Sequence, residues 1–384
     1  MKQKSPMLKK NGVQSLISSL LCIILGLVVG YLALLIINAE GAGQAIISVV
    51  KDFFNRSSAP MRMKYLGNTL AKTAPLLMCS LSVLFAYKVG LFNIGVAGQY
   101  SLGAAVALFC ALYLDMPWWV CLLAAIVAGA LSAALCGVLR SYCNVNVVIS
   151  GIMLNWISLY GANMLLVLDG VKEPTGKDTI RLAMGHKGAI LPTLGLDSLF
   201  NKNQYVTIGI PIAIVVSILV WIVLNKTKLG YELKATGNNL HAAKYCGMKE
   251  NRNIILTMVI AGGLAGMGAG LFYLADFEQW NVYASSVPAM GFNGIAAAFL
   301  GGLNPIGAIF SSYFIQHITS GGAYVDLSHY CAQISDFISA VIIYLCGFVL
   351  FFKGFMNKIV DKRAEKRAAK ENALAESNAK GGNK

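Results

Sequence analysis

The chain has 384 residues, 57% of them hydrophobic and only 12% charged, with a mean hydropathy of +0.65 and a net charge of +14. A water-soluble domain carries about 25% charge, so the composition excludes an ordinary soluble enzyme and makes lipid the solvent for most of the surface. Nine cysteines, an odd number without any C-x-x-C pair and mostly within apolar runs, argue against a disulfide framework and behave as small hydrophobes.

Residues 1–14 carry Lys2, Lys4, Lys9 and Lys10 and read as a cytoplasmic N-terminus. The apolar run at 16–37 is longer than the roughly 7–15-residue core of a cleaved signal peptide, and so reads as a retained anchor. Further apolar windows follow at 70–86, 91–114, 118–139, 145–168, 205–224, 254–274, 287–303, 305–320 and 334–352. They predict an all-α integral membrane protein of about ten transmembrane helices, with a membrane domain at 15–352 and a charged cytoplasmic tail at 353–384.

Charge tests that ladder, because Lys and Arg accumulate in cytoplasmic segments. With both ends on the cytoplasmic side of the cell membrane, inner segments hold 21 basic and 6 acidic residues, and outer segments with their flanking span ends hold 10 and 11. Topology therefore accounts for the positive charge, and nucleic-acid binding is not needed to explain it. The inner loop at 225–253 has six basic residues. The longest outer loop, at 169–204, is a candidate contact for an extracellular partner. Lys51, Arg56, Arg62 and Lys64 fit the ladder poorly and suggest a short interfacial helix before the second span.

Gly262, Gly266 and Gly270 recur every four residues and share one helix face, as do Ala125, Gly129, Ala133 and Gly137. Small residues let helix backbones approach closely in lipid, so these stripes predict packing. Two stretches predict broken helices, near 90–100, where Gly90, Gly95 and Gly98 cluster, and near 291–305, which runs from Gly291-Phe292-Asn293-Gly294 to Gly301-Gly302-Leu303-Asn304-Pro305. Freed backbone groups at membrane depth must be buried in protein or line a wet cavity. Both stretches contain Phe-Asn, at 92–93 and 292–293, in spans of opposite direction, which suggests an inverted repeat of five plus five helices with the solute path between the halves.

The polar residues inside the spans are mainly amides: Asn93, Gln99, Asn146, Asn155, Asn163, Asn293 and Gln316. They suit an uncharged polar cargo or bonds between helices, and Asn93, Gln99 and Asn293 are the candidates for the solute pathway. No phosphate-binding G-x-x-x-x-G-K-[ST] loop occurs, so any ATP must be used by a partner. The four histidines are dispersed, which predicts neither a metal site nor a catalytic group. An ion-coupled secondary transporter is the rival from another class. It would keep ionisable residues within its spans, where only Lys72 and Asp336 lie near span edges.

Four segments together are specific: GLFNIGVAGQYSLG (90–103), TKLGYELKATGNNLHAAKYCGM (227–248), IAGGLAGMGAG (260–270) and GFNGIAAAFLGGLNPIGA (291–308). They resemble the permease family of ABC importers for ribose-type sugars and nucleosides over about 67–352, and most closely its nucleoside branch. The resemblance implies a subunit that translocates nucleosides, with a simple-sugar (ribose or galactose type) permease as the alternative. It implies no enzyme activity or cofactor in this chain itself. The implied partners are an ABC ATPase that uses ATP, an extracellular solute-binding lipoprotein, membrane lipid and a second homologous permease, this chain being the larger of a heterodimer. It also implies that the loop at 225–253 docks in the ATPase through Gly230, Glu232, Ala235, Gly237, Asn238 and Ala243. Family members often carry a glutamate in the Asn-Ile-Gly motif where this chain has Ala97, so any role of that acid does not transfer.

Overall fold

The computed structural model describes residues 11–325 and scattered positions between 337 and 358. The first ten residues, the expected tenth span and the charged tail fall outside that continuous stretch. Among the described residues the chain is all-α, with isolated β-bridges as its only extended pairing. Helix α1 is Asn11–Ile37 and α2 is Ala42–Lys51; a 3-10 turn at Asp52–Asn55 leads into α3, Ala59–Lys88. Then come α4 (Val96–Leu112), α5 (Trp118–Cys143), α6 (Val147–Leu166), a single turn α7 (Leu196–Leu199) and α8 (Gly209–Lys226). The chain continues through α9 (Lys228–Asn238), α10 (Leu240–Tyr245), α11 (Glu250–Tyr273), α12 (Ala289–Leu300) and α13 (Pro305–Gly321).

Five helices, α3, α5, α6, α8 and α11, are long and apolar enough to cross a bilayer. Shorter apolar helices are Leu21–Ile37 within α1, α4 and α12. Every residue of α3 from 73 to 86 is buried, because a helix that is apolar around its whole circumference must sit inside the bundle. The opposite holds at the periphery. Exposed Leu123, Val127, Leu131 and Leu135 make an apolar stripe down α5, and Ile149, Met153, Ile157, Tyr160 and Met164 make another down α6. Such an exterior suits lipid rather than water.

Close approach in the core relies on missing side chains. Gly262, Gly266 and Gly270 of α11 face Ala133, Gly129, Ala125 and Leu122 of α5. A Cβ on Gly103 of α4 would lie 2.6 Å from the Gly266 Cα, so three helices meet there. With no hydrophobic effect between helices in lipid, this backbone contact area is what holds them together.

The structure corrects the expected second break. Gly291-Phe292-Asn293-Gly294-Ile295 lies within regular α12, and the interruption is confined to residues 301–304. Glycine in a helix costs about 1 kcal/mol relative to alanine, and packing offsets that cost here. A Cβ on Gly291 would lie 2.5 Å from the Ala97 Cα of α4, and one on Gly294 would lie 2.7 Å from the Cys79 Cβ of α3. The two Phe-Asn pairs therefore have different backbones, one in a break and one in a helix.

Of the four basic residues expected in a short interfacial helix, Lys51 ends α2, Arg56 follows the 3-10 turn, and Arg62 and Lys64 belong to the first turns of α3. The loop at 169–204 folds against residues 276–284. Thr179 N donates to Trp280 O at 2.9 Å, and the Asp276 carboxylate accepts from the Leu182 and Ala183 amides at 3.1 and 3.3 Å. Asn163 of α6 ties this cap down, donating to Ala284 O and accepting from Trp280 Nε1, both at 2.9 Å.

Candidate functional site

Helix α3 ends at Lys88, and the chain then turns through Val89 and Gly90, whose φ of +78° a residue with a side chain adopts only under strain. Residues 91–94 run without helical structure until Gly95 starts α4. The backbone groups freed in this break have found side-chain partners. Asn155 of α6 donates through Nδ2 to Ile94 O at 3.1 Å, and its Oδ1 accepts from Gly98 N at 2.8 Å. One amide thus holds both sides of the break. It reaches them because Gly151, one turn earlier, lets α6 lie on Gly95; a Cβ on Gly151 would be 3.0 Å from Gly95 N.

Asn93 and Gln99 form a reciprocal pair across the break: Asn93 Nδ2 donates to Gln99 Oε1 at 2.9 Å and Gln99 Nε2 donates to Asn93 Oδ1 at 3.0 Å. Asn93 also reaches Ser82 Oγ of α3 at 3.3 Å. Both are buried, so in this conformation their amides bond each other and not a solute. Asn293 is half-buried on α12, and no hydrogen bond is recorded for its side chain among the described residues. The three expected pathway residues therefore divide, two paired within the break and one on the neighbouring helix. Phe92 of the break meets Tyr87 of α3 and Phe299 of α12, with ring centroids 6.3 and 6.4 Å away.

The loop at 225–253 is two short helices, α9 and α10, whose N-termini are capped by Thr227 and Asn239 accepting from Gly230 N and Ala242 N. Four of the six expected docking positions pack inward or against the body. Gly230 lies on α8, where its Cβ would be 2.8 Å from the Leu224 Cα; Ala243 is buried; Ala235 is half-buried; and Gly237 abuts the Val89–Gly90 turn. Glu232 pairs with Lys228 at 3.8 Å and Asn238 is exposed. The outward face instead presents Tyr231, Leu240 and Tyr245, the last 92% exposed. Sequence reasoning passed over these. Large aromatics in a charged, glycine-containing loop were the available signal.

A buried ionisable cluster was also missed. Asp52 is 1% exposed, accepts from Thr69 Oγ1 at 2.9 Å and lies 3.2 Å from His317 Nδ1 of α13, while His317 Nε2 is 2.9 Å from Val50 O. The Arg56 guanidinium stacks between the Tyr65 and Tyr324 rings, 4.3 and 4.9 Å from their centroids. Asp52 and His317 are 265 positions apart in the chain, so spacing could not reveal the pair. No group of three or more metal-ligating side chains occurs among the described residues.

Residues 65–347 match the family described as "branched-chain amino acid transport system / permease component". The chain belongs to that permease family. The permease is 30% identical to the guanosine ABC transporter permease protein NupP of Bacillus subtilis, over 91% of this chain and 98% of the relative. It is 30% identical to the nucleoside ABC transporter permease protein NupB of Lactococcus lactis, over 95% of this chain and 100% of that relative. A second protein of L. lactis, the nucleoside ABC transporter permease protein NupC, is 28% identical over 66% of this chain and 80% of its own length. No solved structure matches the permease. Family membership and the apolar exteriors of α5 and α6 together make it a multi-pass membrane protein. Ala97 is buried under Gly291 of α12.

Proposed function

We propose that this chain is a nucleoside-translocating permease subunit of an ATP-driven importer in the cytoplasmic membrane. The observation that carries the reading is its end-to-end similarity to permeases named for guanosine and nucleosides, NupP and NupB. The break supports it physically. A solute rich in hydroxyls and ring nitrogens offers donors and acceptors, which the neutral amides at Asn93, Gln99 and Asn293 can match without burying a charge. The subunit binds no cofactor; ATP is hydrolysed by a partner that docks on α9 and α10.

The chain crosses the membrane about ten times, as an inverted five-plus-five arrangement, with both ends and the loop at 225–253 in the cytoplasm. It works beside a second, homologous permease, a pairing suggested by the similarity of both NupB and NupC from one organism. An extracellular lipoprotein delivers solute to the opposite face, at the cap formed by residues 169–204 and 276–284. The test is accumulation of labelled guanosine, ribose and galactose in cells that depend on the complete system for uptake. Guanosine should accumulate with ATP. Accumulation of the sugars alone would favour the simple-sugar alternative, and uptake by the purified chain under an ion gradient without ATP would favour a secondary carrier.

A further inference from the structure

We propose that the backbone contact between Gly237 and the Val89–Gly90 turn is the joint through which α9 sets the conformation of the break, and that its displacement frees the Asn93–Gln99 pair to bond solute. This rests on the reading of α9 and α10 as the ATPase docking loop. The contact is main chain on main chain. A Cβ on Gly90 would be 2.9 Å from Gly237 O, and one on Gly237 would be 2.9 Å from Gly90 N. With no side chain between them, no rotamer change can absorb a displacement, so movement of α9 must become movement of the turn.

The rest of α9 is firmly held. Its N-terminus is capped by Thr227, Gly230 sits on Leu224 of α8, Leu233 is buried, and Asn253 of α11 donates to Thr236 Oγ1 at 2.8 Å in a buried bond. Force applied to the exposed face at Tyr231 and Tyr245 therefore moves α9 together with α8 and α11. The adjoining segment that can respond by dihedral rotation is 92–94, because the amides of Val89, Gly90 and Leu91 still bond the Ala86 and Tyr87 carbonyls at the end of α3. Beyond it the chain is fixed again, since Asn155 holds Ile94 and Gly98. Rotation is thereby concentrated around Phe92–Asn93, where it moves the Asn93 amide away from Gln99. A solute that supplies one donor and one acceptor to each amide replaces what is lost, so the exchange leaves no buried amide unpaired. Gly90 and Gly237 act as positioning residues and touch no solute themselves.

The test uses the complete complex in proteoliposomes. G90A, which places a methyl against the Gly237 carbonyl, should still co-purify with the ATPase and hydrolyse ATP within about twofold of wild type, while ATP-driven uptake falls at least tenfold. A merely structural role would lower both activities together, and that result, or wild-type uptake, overturns the joint. If G90A does not fold, hydrogen exchange on the wild-type complex decides. Exchange of a peptide covering 89–95 should change when ATP binds, and no change there overturns the proposal. The underlying reading is tested separately. Y231A/Y245A should lose the ATPase on co-purification, and a complex that survives both substitutions removes the docking assignment and the joint with it.

Discussion

Asn155 provides a direct test of how the break is maintained. N155A removes a side chain that is 3% exposed and bonds Ile94 O at 3.1 Å and Gly98 N at 2.8 Å. Each orphaned buried group costs about 1–3 kcal/mol, so the variant should be less stable by about 2–6 kcal/mol. N146A is the control. Asn146 also accepts from a backbone amide, Val148 N at 2.8 Å, but it is an exposed helix cap, and its loss costs about 1 kcal/mol. Unfolding free energies from denaturant titration in mixed micelles should rank wild type, N146A and N155A in that order, with the Gly98 amide exchanging faster only in N155A. If N155A loses no more than N146A, the two bonds do not hold the break.

G266V forces a branched side chain into the Ala125 carbonyl and the Gly129 backbone, which cannot swing aside, so stability should fall by about 1–3 kcal/mol or more; G161A, which faces open space, should hold or gain slightly. An unchanged melting temperature for G266V would contradict the packing. D52A deletes the buried acceptor of Thr69 and the carboxylate facing His317, and should cost about 3 kcal/mol or more in the same titration, whereas D52N, which keeps an acceptor oxygen, should cost less. Equal losses from the two would show that charge, not the bond to Thr69, is what matters. Lys234→Cys, made in a background without the nine native cysteines, should react with a membrane-impermeant maleimide only after cells are opened. Labelling of intact cells would invert the proposed topology.

Much of the architecture is a one-dimensional property and was legible as such. Helical class and membrane residence follow from runs such as 118–139 and 205–224, because lipid requires a spanning segment to be both apolar and internally hydrogen-bonded. The neighbourhood of the first break could be read from Gly90, Gly95 and Gly98, since glycine clusters weaken a helix locally. The second was drawn too wide by the same signal. Gly291 and Gly294 serve close packing inside α12, and a glycine that permits a turn looks no different in sequence from one that admits a neighbour. The amides were recognisable as polar groups in apolar surroundings, but their partners were not.

The sequence by itself determined what kind of solvent this protein lives in and where its small and polar side chains fall along each helix, because composition and period are properties of the chain alone. Only the tertiary structure decided which surfaces meet: Gly237 on Gly90, Asn155 across Ile94 and Gly98, and Asp52 beside His317. Those contacts join residues that are 147, 61, 57 and 265 positions apart, and hydrogen bonds and van der Waals contact act over a few ångströms of space whatever the length of chain between them.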